Sequence, residues 1–200
     1  MTSIVPFQAT DLFTLNAINL DSLTENFQVF FYLQYLSDWP SLFFKSESPI
    51  LFNNELLTTP SGYMMGKNEG HSKEWHTHIT AVTISPTYRR LGLASHLCNH
   101  LQKSTEEEEP YYTYFIDLFV RCNNKLAITL YEKLGYSIYR RVVGYYSSSS
   151  GNINYEIDKN KTNDDVDAFD MRKSLKRDVN HECVRENGEK FNVLPEEVRF

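Results

Sequence analysis

Among these 200 residues there are only three cysteines, two tryptophans and eight glycines. Cys98, Cys122 and Cys183 are widely spaced and odd in number, which excludes a disulfide framework and a paired-cysteine metal site. They read as reduced thiols of a cytoplasmic protein. Positive charge is also short. Twenty Lys and Arg against 26 Asp and Glu give a formal charge of −6, so there is no basic footprint for nucleic acid. No apolar run is long enough to cross a bilayer. The opening MTSIVPFQATDLF lacks the basic and apolar regions of a secretion signal. These absences point to a soluble, cytoplasmic chain with no direct nucleic-acid or membrane partner. Aromatics, by contrast, make up 14% of residues, enough to argue for a packed domain rather than disorder.

The most informative stretch is AVTISPTYRRLGLASHLCNHL, residues 81–101. Its β-branched start suits a buried strand, and Ser85-Pro86 stops it. Leu93, Leu97, Cys98 and Leu101 then recur at helical spacing. Between strand and helix lie Arg89, Arg90, Leu91, Gly92, Leu93 and Ala94. A glycine there lets backbone approach a ligand, and the first-turn amides with the helix dipole favour an anion. The pattern predicts a cradle for a phosphate or pyrophosphate. It is not a nucleotide P-loop, because no Gly-Lys-Ser/Thr follows, nor a dinucleotide fingerprint, because there is one glycine rather than three.

Taken in order, Ser3 to Phe7 reads as a first edge strand. Thr10-Asp11 can cap a helix striped by Leu12, Leu15 and Ile18. The DSLTE segment, 21–25, is a turn. Residues 27–39, FQVFFYLQYLSDW, form a helix apolar on more than one face, to be buried in its own core or against another chain. Leu42 to Phe44 is a strand, followed by a loop around Pro49. Tyr63 to Gly66 is another strand, after a Pro60-Ser61-Gly62 turn, and 75–84 a third. The run Glu106 to Glu109 reads as a solvated loop. Residues 111–121 form a strand and 124–134 a helix closed by Gly135, and 136–146 form a further strand. Residues 147–165, rich in Ser, Asn and Lys, read as a mobile loop insert, and 166–175 can add a last strand. Residues 176–200 read as a charged tail, poorly ordered or dependent on a partner. The expectation is one α/β domain over residues 1–175, one sheet with helices on its faces.

A second constellation follows the fifth strand. VRCNNKLAITLYEKLGY, 120–136, has Asn124, Ala127 three on, Tyr131 seven on, and a closing Gly-Tyr. With Arg-Arg-x-Gly-x-Ala upstream, it resembles the GCN5-related N-acetyltransferases. The segments INLDSLTENF, FFYLQYLSDWP, EWHTHITAV, DLFVRCNN, GYYS and DAFDMRKSL further resemble the catalytic subunits of N-terminal acetyltransferase B complexes, over residues 1 to about 178. The resemblance implies a mixed, mostly antiparallel sheet of about six or seven strands flanked by about four helices. It implies acetyl transfer from acetyl-CoA to the α-amine of nascent proteins beginning Met-Asp, Met-Glu, Met-Asn or Met-Gln. It also implies a large helical-repeat auxiliary subunit (TPR-like) that docks on ribosomes.

Carried onto this chain, the resemblance assigns Val82, Thr83 and Ile84 to the pantetheine arm and the amides of Leu91 to Ala94 to the pyrophosphate. Arg89 and Arg90 would give electrostatic support. Asn124 would contact the pantetheine arm and could equally be a helix cap. Tyr131 would protonate the leaving thiolate, or be a core tyrosine. His78 would sense the second substrate residue or act as base. His76 shares its strand face, so spacing alone cannot separate the two. Zinc between them lacks a supporting cysteine or carboxylate set, and no metal is expected. Glu25, Phe27, Thr80, Tyr145 and Tyr146 would line the peptide groove. The family often has tyrosine where Phe27 stands. The alternatives are the same fold acting on lysine or small amines, and a scaffold that binds CoA or a partner without turnover. An acyl-enzyme route would put Cys122 under suspicion.

Overall fold

The computed structural model describes residues 2–21, 24–106, 110–147 and 158–198. Residues 22–23 of the DSLTE turn, 107–109 of the acidic run and 148–157 of the insert lie outside the described residues. The chain divides into two compact units, Met1–Asn68 with Ile79–Tyr111, and Glu69–His78 with Tyr112–Phe200. Among the described residues there are eight strands and four α-helices, close to the expected count.

In the first unit, edge strand β1 (Ser3–Pro6) pairs antiparallel with β2 (Phe43–Phe52). The helix expected after Thr10 is broken into a 3-10 turn, Ala9–Thr14, and the short α1 (Asn16–Asn19). Asp11 is not the cap but the third residue of that turn. Its buried carboxylate accepts from the Gln8 amide at 2.8 Å and pairs with Lys45 at 2.7 Å. Helix α2 (Val29–Asp38) turns Tyr32 and Tyr35 into a core of Phe7, Leu15, Ile18, Phe43, Tyr63 and Met65. Its other side leaves Val29, Phe30 and Leu33 exposed, and Phe13 and Leu20 are exposed nearby in sequence.

The loop expected around Pro49 is strand instead. β2 continues through it to a tight turn at Asn53-Asn54, both at positive φ (49° and 64°), and returns as β3 (Glu55–Glu69). Two residues with positive φ make the hairpin turn whose twist suits antiparallel strands. Pro49 is tolerated because β1 pairs only as far as Glu47, leaving that side of β2 an edge. Pro60-Ser61-Gly62 is not a turn but lies within β3. The register there shifts by one residue opposite Ser46 and Glu47, and Ser61 bonds back to Ser46. Strand β4 (His76–Ile84) gives its last six residues to this unit, and α3 (Leu93–Glu106) follows, burying Leu93, Leu97, Cys98 and Leu101.

In the second unit, the start of β4 runs parallel to β5 (Phe115–Arg121), and the ladder ends at His78–Asp117. Helix α4 (Lys125–Lys133) leads to β6 (Ser137–Val142). The late strand β7 (Ala168–Ser174) inserts antiparallel between β5 and β6. It is not a terminal addition. Ala168 to Arg172 are all buried, so the strand is covered on both faces, with Asp170 and Arg172 buried beside each other.

The expected charged tail is also packed. Asp178 accepts from the Ser174 hydroxyl and the Glu182 and Cys183 amides. Gly188 lies within van der Waals contact of the β6 backbone, where a Cβ would meet the Ile138 oxygen at 1.9 Å. Residues 192–193 then add β8 (Asn192–Val193), parallel to β6. Charged residues of both signs made this segment look solvated, because its few anchors are a buried Cys183, a glycine and a two-residue ladder.

Candidate active site

The first unit supplies the anion cradle. After β4, Ser85 is held by the Ser61 carbonyl (2.9 Å), and the 3-10 turn Pro86–Tyr88 brings the chain to Arg89. Arg90 (φ 66°) and Gly92 (φ 80°) both have left-handed backbone. Nothing lies within 4 Å of where a Cβ on Gly92 would stand, so its space is open and its backbone accessible. Leu93 opens α3, whose first amides have no intrahelical partner. Leu91 is exposed and Ala94 half-buried.

Arg89 is placed differently from expectation. Its Nε donates to the Ile84 carbonyl (3.1 Å) and its NH2 nitrogen to the Asp21 carboxylate (2.8 Å). The side chain ties this loop to the segment that opens DSLTE. Arg90 is exposed and carries the remaining loop charge.

A chain of hydroxyls organises the other side of the same unit. The Tyr35 hydroxyl lies 2.7 Å from that of Thr80. Tyr63 donates to Asn19 Oδ1 (3.2 Å), and Asn19 Nδ2 donates to the Tyr32 hydroxyl (3.3 Å). The Phe27 amide donates to that same hydroxyl, also at 3.3 Å. Thr83 hydrogen-bonds to Tyr63, whose hydroxyl burial pushes above its ordinary range. Thus Thr83 and Phe27 share one hydrogen-bonded framework, while Thr80 is held separately by Tyr35. Phe27 stacks on Phe31 with ring centroids 4.7 Å apart. Val82 and Ile84 are half-buried on β4, while Glu25 is exposed.

In the second unit, His78 Nδ1 lies 3.0 Å from Asp117 Oδ1. Asp117 is fully buried, and His76 Nε2 approaches the same oxygen at 3.5 Å. Burial works against the charge of Asp117. His78, His76 and Arg172 outweigh it and hold the carboxyl below its usual range. His76 is also buried. Desolvation opposes its charge, but Glu69, Asp117 and the Glu74 carbonyl raise its pKa above the ordinary 6.5. Arg172 lies over Tyr139 at 3.7 Å and beside Asp170 at 3.4 Å.

The His78 ring sits 5.6 Å from Phe119, which stacks on Tyr145 at 4.7 Å, and Tyr145 meets Tyr146 edge-on at 4.9 Å. Gly144 (φ 68°) turns the chain there, its amide held by buried Asp167 at 2.7 Å. Arg121 lies 3.9 Å over Tyr146. His78, Tyr145 and Tyr146 are therefore brought together by Phe119.

Helix α4 carries the remaining residues. The Asn124 oxygen accepts from the Ala127 amide at 3.1 Å, and the residue stays exposed. Both of its expected roles are open to it at once. Tyr131 is buried with its ring 5.6 Å from Tyr136. Cys122 is buried, and burial pushes its thiol up to about 12, so it is a poor nucleophile. Among the described residues no group of His, Cys, Asp or Glu has the arrangement of a metal site.

Sequence reasoning missed Asp117, Asp167, Tyr35, Tyr63 and Asn19. Asp117 sits mid-strand in YFIDLFV, where a buried carboxylate is unexpected. That was the one signal available.

The family model of the acetyltransferase (GNAT) family matches residues 19–136. The catalytic subunit of the N-terminal acetyltransferase B complex of Saccharomyces cerevisiae is 54% identical, over all of this chain and all of that one. Its counterpart in Arabidopsis thaliana is 44% identical, over 100% of this chain and 99% of its own. Among solved structures, the NatB acetyltransferase complex bound to a bisubstrate inhibitor contains a chain 55% identical to this one, with a TM-score of 0.81 and 99% of each chain covered.

Proposed function

Because the chain belongs to the acetyltransferase (GNAT) family, in its branch of N-terminal acetyltransferase B catalytic subunits, we propose the following division of labour for its residues. As a member of that branch it transfers acetyl from acetyl-CoA to protein N-termini. The α-amine nitrogen attacks the thioester carbon, the carbon–sulfur bond breaks, and CoA leaves as the thiol. One amine proton passes to a base and another donor supplies the sulfur.

The residues fit CoA. The observation that carries the assignment is the open, left-handed Gly92 at the mouth of α3. The amides of Leu91 to Ala94 would hold the pyrophosphate, with Arg90 as counter-charge and Arg89 acting through Asp21. The backbone of Val82 to Ile84 and the side chain of Asn124 would align the pantetheine arm. Tyr131 would donate to the departing sulfur. An α-amine has a pKa of about 7.7–8.0, so a weak base suffices and positioning supplies much of the rate. The buried, high-pKa thiol of Cys122 supports direct transfer over an acyl-enzyme.

The substrates would begin Met-Asp, Met-Glu, Met-Asn or Met-Gln. Phe27 would pack the initiator Met, and His78 with Thr80 would meet the second side chain. Tyr145, Tyr146 and Glu25 would line the groove around the first backbone groups. The exposed apolar side chains Phe13, Leu20, Val29, Phe30 and Leu33 would dock a helical-repeat auxiliary subunit, through which the chain reaches the ribosome. The chain would work in the cytoplasm, and no described helix is long and apolar enough to cross a membrane.

The test is acetyl transfer to peptides beginning Met-Asp, Met-Glu, Met-Asn, Met-Leu and Ser-Glu and to an N-blocked lysine peptide, with and without the auxiliary subunit. Preference for the first three supports the reading. Transfer only to blocked lysine discards the substrate assignment, and no transfer at all favours a scaffold.

A further inference from the structure

Acceptor groups lie beside both nitrogens of His76. Nδ1 lies 2.6 Å from the Glu74 carbonyl oxygen. Nε2 lies 3.5 Å from Asp117 and 3.7 Å from Glu69, both carboxylates. A neutral imidazole would turn a lone pair toward one of them. This surrounding favours the imidazolium form of His76, whose ring stacks on Phe115 with centroids 4.7 Å apart. With the contact from His78 and the charge of Arg172, it holds Asp117 ionised, although the carboxylate is out of water. An ionised carboxylate cannot donate, so the 3.0 Å contact with His78 fixes the proton on Nδ1 of His78.

We propose that Asp117 is the positioning residue for His78, holding it in the Nδ1-protonated form so that Nε2 alone meets the substrate, with His76 as the fixed cation behind it. The groups facing this arrangement in its unit are Asp117 and the ring of Phe119, with His76, Arg172 and the second buried carboxylate Asp170 acting on Asp117, and Glu69 and Glu74 paired to His76 and Arg172. In neutral His78 the free Nε2 is an acceptor. It can take the amine proton, directly or through water, or accept from a second-position amide. Only after protonation can it donate to a second-position carboxylate. Asp117 thus sets which of these acts His78 can perform, without touching substrate.

The proposal rests on the functional reading above only for its consequence, and its first readout needs no activity. Full-length protein labelled with 15N-histidine, assigned with His78→Gln and His76→Gln, is read by long-range 15N–1H correlation across pH. The expected pattern is His76 protonated on both nitrogens near neutrality, and His78 with a proton-bearing Nδ1 and a bare Nε2 once neutral. A neutral His78 with its proton on Nε2 overturns the proposal, as does a neutral His76. Asp117→Asn is expected to move His78 toward the Nε2-protonated form. It should lower kcat/KM on a Met-Asp peptide by about tenfold or more and change the Met-Asp to Met-Asn ratio, with acetyl-CoA affinity unchanged. An unchanged tautomer and ratio in that variant also overturn it. If Asp117→Asn does not fold, the wild-type spectrum still decides. Absence of peptide acetylation with the expected spectrum would sink the functional reading and leave the positioning intact.

Discussion

Gly92 and Asn124 are each asked to do two things, and single substitutions separate them. Gly92→Ala places a Cβ in open space, so no clash opposes it. It must still hold φ near 80°, at about 1–2 kcal/mol for an L-residue. We expect a small drop in melting temperature and a KM for acetyl-CoA raised about tenfold, measured by initial rates beside a thermal melt. Asn124→Ala loses a helix cap worth about 1 kcal/mol, whereas Asn124→Ser keeps it. If Asn124 also contacts the pantetheine arm, the serine variant melts like wild type and still shows the raised KM. A wild-type KM would leave Asn124 a cap alone. Both residues were legible because a motif pins them. Asp117 was not, since a carboxylate buried between strands leaves no periodic trace, and its partners His78, His76 and Arg172 come from other strands.

At the scale of elements, the Arg89–Asp21 pair links the turn before α3 to the segment after α1. It is partly exposed and worth at most about 1 kcal/mol to folding. Under the roles proposed above its larger effect would be geometric, because it would connect the loop assigned to CoA with the segment assigned to the peptide. Asp21→Asn should raise the peptide KM with little change in acetyl-CoA affinity. Arg89→Gln should do the same, and the double variant should be no worse than either, a non-additivity read by a double-mutant cycle. Simple additivity would return Arg89 to the role of phosphate counter-charge. Helix α3 stands where its leucines put it, whereas α4 forms where expected but buries Ile128 and Tyr131 and leaves Leu126, the first residue of its expected leucine stripe, exposed. β2 and β3 depart from expectation, because Pro49, Pro60 and Gly62 spell a loop locally. An edge and a one-residue register shift accommodate them, and neither device is visible before the partner strand is known.

For the whole molecule, the buried histidine makes stability depend on pH. His76 has a folded pKa above its ordinary 6.5, so it binds its proton more tightly folded than unfolded. Its contribution is full below 6.5 and is lost as pH rises through the folded value. Asp117 acts oppositely, contributing above the ordinary carboxylate pKa and failing as pH falls through its lowered one. Urea midpoints should decline from pH 6 to pH 9 in wild type, and His76→Gln should flatten that decline while lowering stability at pH 6. Ending the chain after Leu175 removes β8 and the Asp178 cap, and should cost several degrees of melting temperature, whereas a disordered tail would be dispensable. The uncovered side of α2 has a consequence for the living cell. If the auxiliary subunit covers Phe30 and Leu33 as proposed, a copy made in excess of that partner presents the sticky surface that chaperones and proteases recognise. The abundance of this chain would then be set by the supply of its partner, and an orphaned copy would be short-lived even though its own fold is sound.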